Sequence, residues 1–302
     1  MLRSSFLYLS RQARLRRWAE TAALARRMSR RFVAGETLAE ALDAARRVAA
    51  QGLVVTLDHL GENVTDEFEA RADAAEAGQA LRELAAAGLE PNVSIKLTQF
   101  GLDLGEAVCR QNVCQLAGQA AEIGGFVRID MESSAYTDRT LAIVSDLYRS
   151  HHTVGAVIQA YLRRSDRDTE RLSEEGIRIR LCKGAYLESP SVAFEKKAEV
   201  DESFLRLMRY LLVHGTYPAI ATHDERMIAA TREFASREGI APNRFEFQML
   251  YGIQRELQRQ LVADGYRVRL YVPYGVAWYP YFMRRLAERP ANLLFLARSV
   301  LK

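Results

Sequence analysis

The chain has 302 residues, and its hydrophobic fraction of 49% and charged fraction of 26% are those of an ordinary globular protein with a sizeable core. A net charge of only +4, from 42 basic and 38 acidic residues, argues against a nucleic-acid-binding protein. The three cysteines form no C-x-x-C pair, which argues against a disulfide scaffold and a metal site and predicts a reducing, cytoplasmic location. The sequence contains no apolar run long enough to predict a transmembrane helix.

Residues 1–50 read as a helical segment that precedes any strand. Residues 1–31 carry nine arginines against one acid, Glu20, which predicts a basic surface helix able to contact a partner or the inner face of the cell membrane peripherally. A second helix is predicted from Leu38 to Ala50, with Thr37 as its N-cap.

After this segment, residues 51–302 alternate short β-rich runs with helical stretches. The runs are Leu53–Leu60, Asn92–Leu97, Phe126–Met131, Val154–Tyr161, Ile177–Gly184, Pro218–Asp224, Phe245–Gly252 and Arg267–Gly275. Alternation of this kind predicts parallel strands with helical crossovers, and eight repeats favour a closed (βα)8 barrel over an open sheet.

Polar residues stand at or just beyond the ends of these runs, where the active sites of such barrels lie. They are Asp58, Glu62, Lys96, Asp130, Gln159, Arg180, Lys183, Thr222, His223, Gln248 and Tyr271. Buried charges are costly unless they are paired or functional, so their recurrence predicts a site at this end of the barrel.

Two segments indicate the chemistry of that site. Tyr281, Arg284 and Arg285 share one face of a helix, and paired guanidinium groups suit a small carboxylate. The run from Arg180 to Tyr186 combines two cations with a glycine turn, which suits a flavin and its diphosphate. The absence of a G-x-G-x-x-G fingerprint indicates that any nucleotide cofactor is held by the barrel mouth itself.

An ordered set of motifs carries a resemblance to a known family. The motifs are Ser94-Ile95-Lys96, Asp130-Met131-Glu132, Gln159-Ala160-Tyr161, Arg180 to Tyr186, Ala221 to Asp224, Gln248 to Gly252, Tyr271 to Gly275, and Tyr281 to Arg285. Over residues 38–300 the chain resembles proline dehydrogenase in its short monofunctional bacterial form. The resemblance implies an α/β fold, a distorted (βα)8 TIM-type barrel preceded by N-terminal helices, with FAD bound at the strand ends.

The resemblance also implies a role for each matching residue. Asp130 and Arg180 are the expected catalytic residues, with Asp130 holding Lys96 and Arg180 near the flavin. The expected substrate-binding residues are Lys96, Leu181, Tyr186, Tyr271, Tyr281, Arg284 and Arg285. The expected FAD-binding residues are Met131, Gln159, Arg180, Lys183, Gly184, Ala185, Thr222 and His223. Glu62 is the expected gate that closes over the substrate by pairing with Arg284. Leu187 stands where the long bifunctional relatives carry a tryptophan.

The reaction expected from this resemblance is oxidation of L-proline to Δ1-pyrroline-5-carboxylate, with the electrons passed on to a quinone. The sequence is compatible with a homo-oligomer and does not determine the oligomeric state. One alternative is another FAD-binding barrel oxidoreductase, either hydroxyproline-preferring or similar to methylenetetrahydrofolate reductase. The twin arginines favour a small amino acid over a folate. A second alternative is a non-enzymatic barrel that binds an anionic ligand or nucleic acid through its Arg-rich helix.

Overall fold

A computed structural model describes residues 30–61 and 64–279 together with residues 281 and 283. The strands are β1 (Val54–His59), β2 (Asn92–Ile95), β3 (Phe126–Ile129), β4 (Val154–Gln159), β5 (Arg178–Cys182), β6 (Ala219–Ala221), β7 (Glu246–Leu250) and β8 (Val268–Tyr274). The α-helices are α1 (Leu38–Ala49), α2 (Glu67–Ala86), α3 (Glu106–Glu122), α4 (Thr137–Ser150), α5 (Ser165–Glu174), α6 (Lys197–His214), α7 (Glu225–Arg237) and α8 (Arg255–Ala263). Short 3-10 helices span Ser134–Tyr136 and Pro242–Arg244.

The eight strands form a closed parallel barrel in chain order, so the predicted architecture is confirmed. β8 closes it against β1, with Val54 opposite Arg269 and His59 opposite Tyr274. Each predicted run contains one strand. The sixth strand is shorter than predicted because Asp224 turns the chain into α7, its side chain accepting a hydrogen bond from the backbone N–H of Arg226.

Helix α1 begins as the sequence predicts. The Thr37 hydroxyl accepts a hydrogen bond from the Glu40 backbone N–H at 3.3 Å, and the Glu40 carboxylate accepts one from the Thr37 backbone N–H at 3.2 Å. Its apolar face, which includes Ala41 and Val48, packs into the same core as the barrel strands. Of the predicted Arg-rich helix, residues 1–31, the first 29 residues lie outside the described residues, and residues 30 and 31 form part of a turn. The boundary at residue 50 stays a prediction.

Charged side chains near the amino ends of the strands are held in a buried cluster. Arg269 donates to Glu246 at 2.8 Å and to Glu90 at 2.6 Å. Arg128 donates to the backbone carbonyls of Ala156 and Arg178. The hydrogen-bonding groups of this cluster are paired with one another, so we assign a structural role to this end of the barrel. The candidate site lies at the opposite, carboxyl end.

Among the described residues, no helix combines the length and the apolar character that crossing a bilayer requires.

Candidate active site

A buried ion pair joins the ends of β1 and β2. Asp58 is fully buried and lies in β1, and Lys96 directly follows β2. The Lys96 Nζ donates to Asp58 Oδ1 at 3.1 Å. Burial raises the pKa of Asp58, an effect that the nearby Lys96 ammonium opposes. The pair therefore places a cation at the carboxyl end of the barrel, where an anionic substrate group could bind.

A second, partly buried network joins the end of β3 to β5 and β8. Arg180 Nη1 donates to Asp130 Oδ1 at 2.7 Å, and the Tyr271 hydroxyl donates to Asp130 Oδ2 at 2.9 Å. Arg180 Nη2 also donates to the Ser94 hydroxyl at 2.9 Å. Burial, followed by the charge of Asp130, raises the pKa of Tyr271 well above its ordinary value, so the phenol keeps its proton and remains a donor.

The structure brings most of the expected strand-end residues together but changes one pairing. The resemblance implied that Asp130 holds Lys96, and this is wrong because Asp58 holds the Lys96 ammonium. Asp130 instead accepts hydrogen bonds from Arg180 and Tyr271. Asp58 lies on β1, next to β2, and therefore reaches Lys96. Asp130 follows β3 and instead faces the Arg180 guanidinium on β5.

Several buried polar atoms at this end have no hydrogen-bond partner among the described residues. They include Oε1 of Gln159, at the end of β4, Nε of Arg180, on β5, and the hydroxyl of Tyr161, just after β4. The first two lie on strands. Leaving such atoms unsatisfied is costly, which indicates a ligand that supplies a donor to one and an acceptor to the other. A flavin ring carries both a ring N–H donor and carbonyl and imine acceptors, so these residues fit the flavin that the sequence predicts.

The glycine turn after β5 packs tightly against Tyr161. Gly184 has φ +110°, and a Cβ at this position would lie 2.2 Å from Tyr161 Cδ1. The backbone N–H of Tyr161 donates to the Lys183 carbonyl at 2.9 Å, which fixes the turn from the other side. Only glycine fits here, because the backbone approaches the aromatic ring too closely for a side chain.

Three other expected cofactor residues make structural hydrogen bonds within the protein. The Lys183 ammonium donates to Asp201 at 2.5 Å and to Asp224 at 2.7 Å. The Thr222 hydroxyl accepts from the Asp224 backbone N–H at 3.0 Å. His223 Nε2 accepts from the Leu250 backbone N–H at 2.8 Å, which ties the end of β6 to β7. Their cofactor contacts stay a prediction.

Apolar side chains cover the same end of the barrel. Tyr281 is buried in a cluster against which Tyr271 packs, so two of the expected tyrosines lie together. The remaining members of this cluster are Phe32, Val33, Leu60, Trp278, Tyr279 and Met283, with Ile253 also packed against it. Leu181 and Met131 are buried within the barrel core, whereas Ala185 and Tyr186 are half-buried on the loop after β5.

Three expected residues, Glu62, Arg284 and Arg285, lie outside the described residues.

Sequence reasoning missed two contacts that join the loops around the site. The Thr98 hydroxyl donates to Glu132 at 2.6 Å, joining the segments after β2 and β3. Ser134 donates to Glu188 from its hydroxyl at 2.5 Å and from its backbone N–H at 2.7 Å, joining the loops after β3 and β5. Glu132 stands in a quoted motif and could have been found, whereas nothing in the sequence around Glu188 points to Ser134.

Comparisons with known proteins give the family of the chain. A protein-family model described as proline dehydrogenase matches residues 41–298. Proline dehydrogenase 1 of Bacillus subtilis (strain 168) is 41% identical over 302 residues, covering 100% of both chains. Proline dehydrogenase of Deinococcus radiodurans is 42% identical over 282 residues, covering 91% of this chain and 90% of that protein.

A solved structure gives the same result for the fold. Proline utilization A from Bdellovibrio bacteriovorus, inactivated by N-propargylglycine, superposes with a TM-score of 0.81 at 28% identity. The match covers 87% of this chain and 32% of that longer one. Together with the full-length relatives, it shows that the chain belongs to the proline dehydrogenase family.

Proposed function

We propose that the chain oxidises L-proline to Δ1-pyrroline-5-carboxylate, the first step of proline catabolism, with FAD as its cofactor. The observation that carries this proposal is the grouping of two ion pairs at the barrel mouth, the buried pair of Lys96 with Asp58 and the partly buried pair of Arg180 with Asp130. Beside them lie the buried Oε1 of Gln159 and Nε of Arg180, which have no hydrogen-bond partner in the part of the chain that the structure describes. A small anionic substrate and a flavin account for both features, and membership of the family supports them.

The substrate carboxylate is proposed to bind between Lys96 and the predicted arginine pair, Arg284 and Arg285. A fixed carboxylate orients the pyrrolidine ring, and orientation of this kind is a large part of enzymatic rate enhancement. The ring is proposed to lie against Tyr271, Tyr281, Tyr186 and Leu181, whose apolar surfaces exclude water from the reacting carbon. Glu62 is proposed to close the site by pairing with Arg284.

FAD is proposed to lie across the carboxyl ends of β4 to β7. When bound, it supplies the hydride acceptor for C5 of proline. The residues proposed to hold it are Met131, Gln159, Arg180, Lys183, Gly184, Ala185, Thr222 and His223. Arg180 is further proposed to keep positive charge beside the flavin while Asp130 holds its guanidinium in place.

Outside the barrel mouth, the proposal extends to the electron acceptor. A quinone is proposed to reoxidise the cofactor, with the Arg-rich residues 1–31 of the helical segment 1–50 making peripheral contact with the inner face of the cell membrane. Residues 51–302 would then be the catalytic barrel of a cytoplasmic protein. Self-association into a homo-oligomer is compatible with this arrangement.

A substrate panel tests the proposed reaction. The purified protein, supplied with FAD and a soluble quinone analogue, is assayed for quinone reduction with L-proline, D-proline, trans-4-hydroxy-L-proline and 5-methyltetrahydrofolate, and the imine formed from the proline substrates is trapped with o-aminobenzaldehyde. We expect trapped product with L-proline as the best substrate, and a large loss of kcat/KM in Arg284→Met and Arg285→Met. Preference for hydroxyproline or the folate would replace the proposal by the corresponding alternative.

A further inference from the structure

Asp58 is a strand-end carboxylate at the barrel mouth to which the family resemblance assigns no role. It is fully buried, and both its oxygens lie near the Lys96 ammonium, Oδ1 at 3.1 Å and Oδ2 at 3.5 Å. Its backbone pairs with Ser94 of β2, two residues before Lys96. The register of β1 against β2 therefore places this carboxylate next to the Lys96 side chain, which lies just beyond the end of β2.

Stability alone does not explain a charge in this position. Removing a carboxylate and an ammonium from water is costly, and a buried ion pair frequently contributes no more to stability than apolar side chains of the same size. Thr56, two residues earlier on the same strand, is also buried but neutral, and it lies 3.3 Å from the Ser94 hydroxyl. The charge of Asp58 therefore indicates a functional role at the carboxyl end of the barrel.

The chemistry of lysine supplies such a use. Its ammonium sits on a flexible four-carbon stem and carries three N–H donors, so it can hold one carboxylate and bind a second acceptor at the same time. Holding the ammonium in one place removes the entropy cost of ordering that stem when a ligand binds. A buried carboxylate that fixes the Lys96 ammonium would thus increase the affinity of Lys96 for an anion.

We propose that Asp58 is a positioning residue that holds the Lys96 ammonium where it binds the carboxylate of the substrate. This inference rests on the proposed function, because it takes an amino acid as the substrate. Asp58 itself contacts Lys96 and acts on the substrate only through it. The neighbouring Asp130 accepts hydrogen bonds from Arg180 and Tyr271, whereas Asp58 is the carboxylate that pairs with Lys96. Tyr271 also interacts with Asp58, so the two carboxylates share this phenol.

The test is a double-mutant cycle with Asp58→Asn, which removes the charge and keeps the shape, and Lys96→Met. Three quantities are measured in the FAD-loaded proteins. They are kcat and KM for L-proline, and the competitive inhibition constant of tetrahydrofuran-2-carboxylate, which keeps the ring and the carboxylate but has no amine to oxidise.

We expect Asp58→Asn to raise KM and the inhibition constant together by about 10-fold or more, while kcat changes by less than about 3-fold, the effect of weakening one charge-assisted contact. In the Lys96→Met background the same substitution should add less than about 2-fold. A fall in kcat with an unchanged inhibition constant, or the full effect without Lys96, would overturn the inference.

Glu246→Gln is the matched control, because Glu246 is a buried carboxylate on Arg269 at the other end of the barrel. Glu246→Gln should lower the thermal midpoint of unfolding. It should leave KM and the inhibition constant within about 2-fold of wild type, as expected for a group remote from the site. If Asp58→Asn does not fold, Asp58→Glu, which moves the charge by one methylene, enters the cycle with the same expectations. Wild-type protein inert to L-proline would instead overturn the proposed function, so the two failures are distinguishable.

Discussion

The guanidinium carbon of Arg180 lies 5.4 Å from the centroid of the Tyr271 ring, and the two side chains donate to the two oxygens of one carboxylate. That carboxylate, Asp130, thereby fixes a cation and a phenol in a single arrangement. The guanidinium stands on β5 and the phenol on β8, so one acid joins two distant strands across the barrel mouth.

Removing this acid should therefore affect two groups together. In Asp130→Ala, Arg180 loses its anionic partner inside a buried site, and we expect kcat/KM for L-proline to fall by about 100-fold or more. Tyr271→Phe removes one hydrogen bond and should cost about 10-fold. Steady-state kinetics with proline checks both values.

Tyr274→Phe is the control for Tyr271→Phe. Tyr274 also lies on β8, is buried, and donates to a carboxylate, that of Glu76, at 3.0 Å. Its loss should cost about 1 kcal/mol of stability and leave kcat/KM within about 2-fold. Equal kinetic losses in the two variants would contradict the special role of Tyr271.

Gly184→Ala should disrupt the turn that is proposed to hold FAD. The new Cβ would meet Tyr161 at 2.2 Å, in a backbone conformation with φ +110° that side chains rarely adopt. We expect flavin binding, measured by fluorescence titration of the apoprotein, to weaken by about 10-fold or more, because relieving such a clash costs about 1–3 kcal/mol.

Gly239→Ala separates the clash from the backbone conformation. Gly239 also has positive φ, at +67°, but a Cβ there would meet no atom within 4 Å. It should cost about 1 kcal/mol of stability and leave the flavin affinity unchanged. If both variants bind flavin normally, the turn after β5 is not part of the cofactor site.

Glu246 should make the protein sensitive to acid. Burial acts to raise its pKa, but the adjacent Arg269 guanidinium outweighs burial and lowers the pKa from 4.5 to about 2. Because the folded pKa is depressed, the stabilisation is present above pH 4.5 and is lost as pH falls toward 2. Linkage gives a loss of about 1 kcal/mol by pH 3.5.

Urea unfolding of wild type and Glu246→Gln between pH 6 and 3.5 checks this contribution. The variant lacks the titrating group, so its free energy of unfolding should fall less steeply, by about the same amount. Parallel pH dependences would show that Glu246 does not titrate as the ion pair requires. If the variant is too unstable to measure, proton uptake on unfolding the wild type reports the same quantity.

His59 should behave in the opposite sense. Burial acts to lower its pKa, but the Asp73 carboxylate, 3.3 Å from His59 Nδ1, together with the charges of Glu76 and Asp58, raises it above the ordinary 6.5. A raised pKa gives stabilisation that is complete below pH 6.5 and is lost as pH rises through the folded value. Asp73→Asn should thus cost about 1 kcal/mol at pH 6 and less at pH 9. NMR titration of the imidazole should show a lower midpoint in the variant, and an unchanged midpoint would contradict the pairing.

The sequence was sufficient for the barrel and for most of the strand-end residues. Gln159 and Arg180 could be found because strands that are buried on both faces need no polar group at their ends, so such a group is conspicuous. Thr37 could be found as the N-cap of α1 because its capping partner, Glu40, is three residues away.

Partners that are distant in the chain could not be found in this way. Asp58 and Asp130 both end strands, and only the barrel register shows that Lys96 contacts the former. His223 looks like a cofactor ligand in the sequence, yet its Nε2 accepts from the Leu250 backbone N–H, which depends on the pairing of β6 with β7. Ser134 and Glu188 meet through loops, whose conformation no periodic pattern encodes.

The most direct test of the central claim is the absorbance spectrum of the FAD-loaded protein during anaerobic titration with L-proline. We expect the absorbance band of the oxidised flavin to bleach with L-proline and not to bleach with tetrahydrofuran-2-carboxylate, which can bind but cannot form an imine. A bound flavin that stays oxidised at saturating L-proline would contradict the proposed reaction, and failure to bind FAD at all would contradict the proposed site.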